Sequence, residues 1–351
     1  MLVESGPGQS VEHGSAPVSG RKRNSARVLG LLVSVGLLVL VVLASIAVGA
    51  KNIPLAEVWH GLWHYSGTPD DVIVRDVRVP RTILGILVGA ALGTAGAVMQ
   101  GLTRNPLAEP GILGVNAGAS AAVVSAISFF GVTSLTGYVW FAFLGAAVVS
   151  AVVYVLGGSR GATPVRLALA GTAATAALFG YVNAVQLLDS AALERLRFWT
   201  VGSLASADMA VVGKVWPFIV AGLVLALVLA RPLNAMEMGE DSARSLGVHL
   251  TRTRVLSMVA VTLLCGAATA ACGPIVFVGL MVPHLVRAVT GPDMRWILPY
   301  ATVLAPVLLL GSDVVGRVVS RPSELQVGIV TALIGGPVFI HLVRRRRMGQ
   351  L

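Results

Sequence analysis

Charge is scarce in this chain. Asp, Glu, Lys and Arg make up 12% of its 351 residues, and apolar residues 56%, against roughly 25% and 45–50% in ordinary globular chains. One or two water-soluble domains of about 150 residues, the usual reading of this length, are therefore excluded. Cysteine is nearly absent. Cys265 and Cys272 lie in one apolar stretch without CxxC spacing, so they read as small packed hydrophobes and say nothing about redox compartment. No GxxxxGK[ST] phosphate loop occurs, which leaves the chain without the means to hydrolyse ATP by itself. No His, Cys or carboxylate cluster has ligand spacing, so no metal site is expected, and the nine Met residues are scattered as packing. Paired carboxylates are missing too, which argues against an intramembrane prenyl or sugar transferase. The net charge of +10 raises nucleic acid as a partner, but the basic residues sit in short connections and form no aromatic-interleaved face.

What the chain has is long apolar runs and 40 glycines. A membrane-crossing helix needs about 20 mostly apolar residues, and glycine is frequent where such helices pack closely. Runs at 28–50, 82–101, 108–130, 138–157, 165–187, 213–231, 254–272, 275–290, 296–316 and 326–343 give ten spans. The expected fold is an all-α polytopic membrane protein. It has a disordered, Gly- and Ser-rich tail over 1–27, a transmembrane domain over 28–345 and a short tail over 346–351. RKRNSAR before the first run also fits a signal peptide, but that run exceeds the roughly 7–15 residues of a signal h-region and is read as an uncleaved helix. The eighth run begins near Pro274 and contains Pro283, so a kinked or broken helix buried within the bundle is expected there.

The positive-inside rule fixes orientation. With both termini cytoplasmic, 17 of the 26 basic residues fall inside: Arg21, Lys22, Arg23, Arg27, Arg104, Arg160, Arg166, Arg231, Arg244, Arg252, Arg254, Arg287, Arg295 and Arg344 to Arg347. An even number of spans requires this pairing of ends.

One polar knot interrupts the apolar text. GAVMQGLTRNPLAEPGILG, residues 96–114, gathers Gln100, Arg104, Asn105, Glu109 and two prolines at the cytoplasmic ends of spans two and three. Pro106 and Pro110 permit a tight reversal and a helix start, and Asn105 and Glu109 suit the free amides of the third span. The longer string RVPRTILGILVGAALGTAGAVMQGLTRNPLAEPGILGVNAGA resembles the FecCD family of importer permeases. FWTVGSL (198–204), LNAMEMGEDSARSLGV (233–248), GPIVFVGLMVPHLVRAVTGPD (273–293) and DVVGRVVSRPSELQVGIVTALIGGPVF (313–339) continue the resemblance in order, from about residue 50 to residue 345.

The resemblance implies ten helices per subunit, as in the cobalamin importer permease. It implies a second permease chain, the same or paralogous, two ATP-binding subunits carrying ATP and Mg, and an external substrate-binding protein. The setting is a prokaryotic inner membrane and the cargo an iron–siderophore complex, with haem and cobalamin as alternatives. No cofactor of its own is implied. The loop carrying Gly239, Glu240, Ala243, Leu246 and Gly247 would couple to the ATPase. Acidic residues at its start and Gly247 past its end predict a short helix at about 241–246, presenting Ala243 and Leu246 to the cytoplasm. Arg78, Arg81 and Arg317 would meet acidic groups of the binding protein. Asp76 is the one acid near Arg78 and Arg81 in sequence, whereas Asp313 is placed to pair locally with Arg317. Gln100, Arg104, Asn105, Pro106, Pro283 and His284 are family-motif structural positions, and His284 reads as a packed or capping residue.

The competing class is an ion-coupled secondary transporter, which would carry an ionisable residue within a span. The 16 carboxylates lie in tails, connections or near helix ends, Asp313 coming nearest to an exception. RTILGILVGAALGTAGAV and RTRVLSMVAVTLLCGAATAACG echo one another in opposite orientations, as inverted repeats do, although Ala/Gly bias produces the same pattern.

Overall fold

The structure is a computed structural model that describes residues 19–132, 134–158 and 164–348. The expected tails over 1–18 and 349–351, the Arg160 connection, and the side chains of Arg21, Lys22, Arg23 and Arg345 to Arg347 lie outside the described residues. Among those described there is no strand. The helices are α1 (Ser19–Ala47), α2 (Leu55–Trp63), α3 (Pro69–Val72), α4 (Val79–Thr103), α5 (Val115–Phe130), α6 (Leu135–Gly158), α7 (Pro164–Leu188), α8 (Ser190–Trp199), α9 (Met209–Val228), α10 (Ala230–Glu237), α11 (Glu240–Ser245), α12 (Leu250–Cys272), α13 (Val278–Thr290), α14 (Met294–Val319) and α15 (Val327–Met348). Seven helices are long and apolar enough to cross a membrane, and three shorter ones, Val115–Phe130, Val278–Thr290 and Val327–His341, fill the remaining expected positions.

Some boundaries shift, each for a local reason. Helix α1 starts at Ser19, so residues 19–27 of the expected tail are helical. The second span is reached through α3 and a π-helical turn, Ile73–Arg78, which run on into α4 without a break. The third starts seven residues late, at Val115 instead of 108. Pro110–Leu113 forms a 3₁₀ turn first, and Gly114 takes a left-handed φ of 71°. Aspartates cap several starts: Asp189 accepts from the Ala191 and Ala192 amides, Asp208 from Ala210 and Asp293 from Arg295.

Helix α4 is the axis of the bundle. It packs against α9, α12, α13 and α14, and nearly all of it from Pro80 to Leu102 is buried. Small residues permit the approach, since lipid offers no hydrophobic gain for pairing helices. At Gly96 a Cβ would lie 1.8 Å from the Gly279 carbonyl oxygen, so only glycine lets α4 and α13 cross there. Helix α1 lies outside, against α14. Its two ends locate the rest. Arg27 bonds the Thr290 carbonyl and stacks over Trp296, while Ser45 and Val48 meet Arg317. Helix α15 starts beside the Arg317 end, where the Gly328 amide donates to the Gly202 carbonyl. The N-terminal end of α1 and the C-terminal end of α15 therefore share the face that carries α10 and α11.

Candidate functional site

Two polar clusters occupy opposite ends of this apolar bundle. The first surrounds the C-terminus of α1, whose last carbonyls have no helical partner. Arginines meet them. Arg78 Nη1 donates to the Ile46 and Ala47 carbonyls at 2.9 and 2.7 Å, and its Nη2 to Lys51 at 2.7 Å. Arg317 donates to the Ser45 and Val48 carbonyls, both at 2.9 Å, and Arg321 to Gly49 at 2.8 Å. Cations at the negative end of a helix dipole are favoured. Asp313 lies between the other two partners. It accepts from Arg81 Nη2 at 2.7 Å and forms an ion pair with Arg317 Nη2 at 3.0 Å, and Arg81 Nη1 also reaches Glu324 at 2.6 Å.

The expected open basic platform is corrected here. Arg78, Arg81 and Arg317 retain only 3%, 4% and 1% of their exposure, because helix-end carbonyls and a carboxylate draw the guanidinium groups inward. The local Asp313–Arg317 pair forms as its four-residue spacing implies. Arg81 is the one of the three that also borders a cavity of about 360 Å³, together with Arg195, Trp199, Ser203 and Glu324. The FWTVGSL motif builds one wall of it. The Ser203 amide donates to the Cys272 carbonyl, and Gly202 accepts from Gly328, tying the ends of α8, α12 and α15 together.

The second cluster holds the knot. Arg104 ends α4 in the left-handed region, with φ of 51°, and the Asn105 side chain accepts from the Leu107 amide at 3.0 Å to close the turn. Glu109 does not serve the third span, as expected of it. Its carboxylate accepts from the Phe277 amide at 3.2 Å, because Phe277, with φ of 69°, opens the broken helix α13 and leaves amides free. Gln100 donates to the Leu280 carbonyl at 3.0 Å in the same helix. Pro283 is buried within α13, and His284 lines a small cavity with Pro106, Leu107, Met281 and Phe339. The knot thus braces the interrupted helix.

The 233–248 loop joins this cluster. Gly239, with φ of 109°, opens α11 and Gly247, with φ of 80°, follows it. The short helix forms at Glu240–Ser245. Leu246 is exposed as expected, but Ala243 is fully buried and turns inward. Its amide donates to Gly239 and its carbonyl accepts from Val248, so a tight turn seals that face. Glu240 is the hub: Arg254 of α12 lies 2.6 Å away, Arg244 3.8 Å and Arg104 3.9 Å. Glu237 pairs with Arg287 at 2.8 Å, and Asn234 bonds both Asp293 and the Met294 amide at 2.7 Å. Burial pushes the Asp293 carboxyl up, but hydrogen bonds from Arg295 and Asn234 outweigh it and hold the pKa to about 2.

Glu324, Arg254, Glu237 and Asn234 were given no site role by sequence, whereas Asp313 was singled out as the partner of Arg317. Only the Asp313–Arg317 spacing carried a signal; the other partners meet across long separations. Among the described residues no group of three His, Cys, Asp or Glu is placed to hold a metal ion.

A charge-poor helical bundle whose arginine clusters lie toward its two ends is the frame of a polytopic membrane protein, and its relatives narrow the class. The FecCD transport family model matches residues 37–345, and the chain belongs to that family. It is 46% identical to the ferric enterobactin transport system permease protein of Escherichia coli, over 90% of this chain and 95% of that one. It is 35% identical to the hemin transport system permease protein of Yersinia pestis, over 89% and 94%. A solved inward-facing chain, described as a metal-chelate type ABC transporter, superposes with a TM-score of 0.79 at 28% identity, over 90% of this chain and 98% of that one.

Proposed function

We propose that this chain is the membrane-spanning subunit of an ATP-driven importer for an iron(III)–siderophore complex. The observation that carries the cargo class is the 46% identity to a ferric enterobactin permease over nine-tenths of the chain. Relatives named for hydroxamate and citrate chelates of iron point the same way. Haem is the second reading, favoured by the hemin relative.

In this reading the chain pairs with a second permease chain, draws energy from two ATP-binding subunits that hold the ATP and Mg, and binds no cofactor itself. Cargo comes from an external binding protein in a prokaryotic inner membrane. Both termini and the Gly239–Gly247 loop face the cytoplasm, consistent with the bias of basic residues toward that side. Exposed Leu246 contacts the ATPase, and Glu240 passes its displacement to α12 through Arg254. On the other face, the binding protein docks over the cavity edge, where buried Arg81 holds Asp313 and Glu324 in place. Arg78 and Arg317 hold that edge by fixing the end of α1. Asp313 is satisfied by two arginines, which leaves no free membrane carboxylate there for ion coupling.

The experiment is reconstitution of the permease with its ATPase chains and binding protein in vesicles. Ferric enterobactin, a ferric hydroxamate, ferric citrate and haem are offered in turn. ATP-dependent accumulation of a ferric siderophore is expected. Accumulation of haem alone selects the second reading, and uptake driven by an ion gradient without ATP overturns both. External cysteine labelling at residue 15 or 349 in intact cells would overturn the orientation.

A further inference from the structure

Helix α2 and its surroundings are used by neither cluster. It follows the end of α1 after a seven-residue link and rests on a small separate core of Ile53, Val58 and Val74, backed by Ile46 and Ile73. Only Val58 and Gly61 of the helix are buried. At about 100° per residue, these two mark the arc packed on the protein. Leu55, Trp59, Leu62 and Trp63 fall together on the adjoining arc and are open, Leu55 at 73%, Trp59 at 63% and Trp63 at 68% exposure. The two indoles stand 5.8 Å apart. The remaining arc carries Glu57, His60 and His64. His60 is fastened to Asp71 at 3.3 Å, and Lys51 to Asp70, so the water-facing side is fixed by polar bonds.

A helix with a packed arc, an aromatic apolar arc and an opposed polar arc matches one that lies in the membrane surface. Trp and Tyr concentrate at that depth because their rings are amphipathic. Helix α1, which leads into α2, also exposes Leu37, Leu40 and Leu43, and only 11% of its most apolar window is buried, as in a helix that faces lipid. We propose that α2 is an interfacial anchor, with Leu55, Trp59, Leu62 and Trp63 seated at the headgroup–acyl boundary of the leaflet at the C-terminal end of α1. The occupant of this face is lipid. The anchor holds the link between α1 and the π turn, and with it the backbone carbonyls that Arg78 binds.

The test is nitroxide scanning of the full permease in phosphatidylethanolamine–phosphatidylglycerol vesicles. Single cysteines are placed at 55, 57, 59, 60, 62, 63 and 64; buried Cys265 and Cys272 serve as the unlabelled background control. Labels at 55, 59, 62 and 63 should collide several-fold more with oxygen than with a water-soluble nickel chelate, and labels at 57, 60 and 64 should show the reverse. Equal nickel access at 59 and 64 would overturn the proposal. Shielding of 59 and 63 from both reagents would also overturn it, since a protein partner would then cover the face. A second measurement avoids cysteine altogether: brominated-acyl lipids should quench native tryptophan fluorescence, and Trp59→Phe with Trp63→Phe should remove a disproportionate share. An unchanged quenched fraction counts against the anchor.

Discussion

The two polar clusters use similar residues to opposite ends. At the α1 terminus, the guanidinium groups of Arg78, Arg81 and Arg317 are buried and bonded to carbonyls and to Asp313. At the knot, Glu240 is 32% exposed and its three arginine partners range from 18% to 62%. Buried pairs are stiff, because breaking one strands a charge in low dielectric. Half-exposed pairs contribute only about 0.2–1 kcal/mol and exchange readily with water. The bundle is clamped at one end and adjustable at the other, and the adjustable end carries the loop proposed here to contact the ATPase.

Breaking the clamp should have the largest effect. Asp313→Asn leaves Arg81 and Arg317 buried without their shared carboxylate, at a cost of about 3–5 kcal/mol. Expected are poor yield and a large fall in melting temperature in detergent. Reversal of Arg78 and Arg81 to Glu should likewise damage folding before any docking effect is read; a well-folded, stable double reversal would show that the clamp is not structural. Next comes Gly96→Val. Its side chain would overlap the Gly279 carbonyl and cost about 1–3 kcal/mol or more through overpacking. Thermal unfolding measures it, and Gly96→Ala should lie between wild type and valine.

Loosening the adjustable end should separate function from stability. Glu240→Gln should reduce ATP-driven uptake several-fold while stability changes by about 1 kcal/mol or less. The reversed pair Glu240→Arg with Arg254→Glu should recover part of the uptake, and unchanged uptake in Glu240→Gln would remove the hub from coupling. The smallest effect concerns acid. Asp293 is held near pKa 2, below the usual value of about 3.9. Its contribution is thus present above about pH 4 and lost as pH falls through 2. The stability difference between wild type and Asp293→Asn should be constant at pH 5–7, shrink as pH falls from about 4 toward 2, and be lost below that.

The ten apolar helices were legible because each run carries its own length and hydrophobicity. Helix breaks at Gly114 and Pro110 moved a boundary by seven residues, since backbone conformation there depends on φ values that composition does not reveal. Site residues were legible when their partner was four residues away, as with Asp313 and Arg317. Arg81 with Asp313, or Glu109 with Phe277, join positions 232 and 168 residues apart, and no local pattern encodes that meeting. The missed partners also explain the misplaced exposure: an arginine at a helix mouth looks solvated until the carbonyls of another helix are seen beside it.

In the proposed coupling, the Glu109–Phe277 bond would let the knot act as a rocker. One arm ends at Arg104, within 3.9 Å of Glu240, and the other at the first turn of a half-length helix inside the bundle. A push on the α11 loop that tilts this rocker would arrive as a displacement of the α13 start, with no bending of α4 in between. The reversal is short and carries two prolines whose φ is fixed, so it would pass on such a stroke with less loss than a flexible loop.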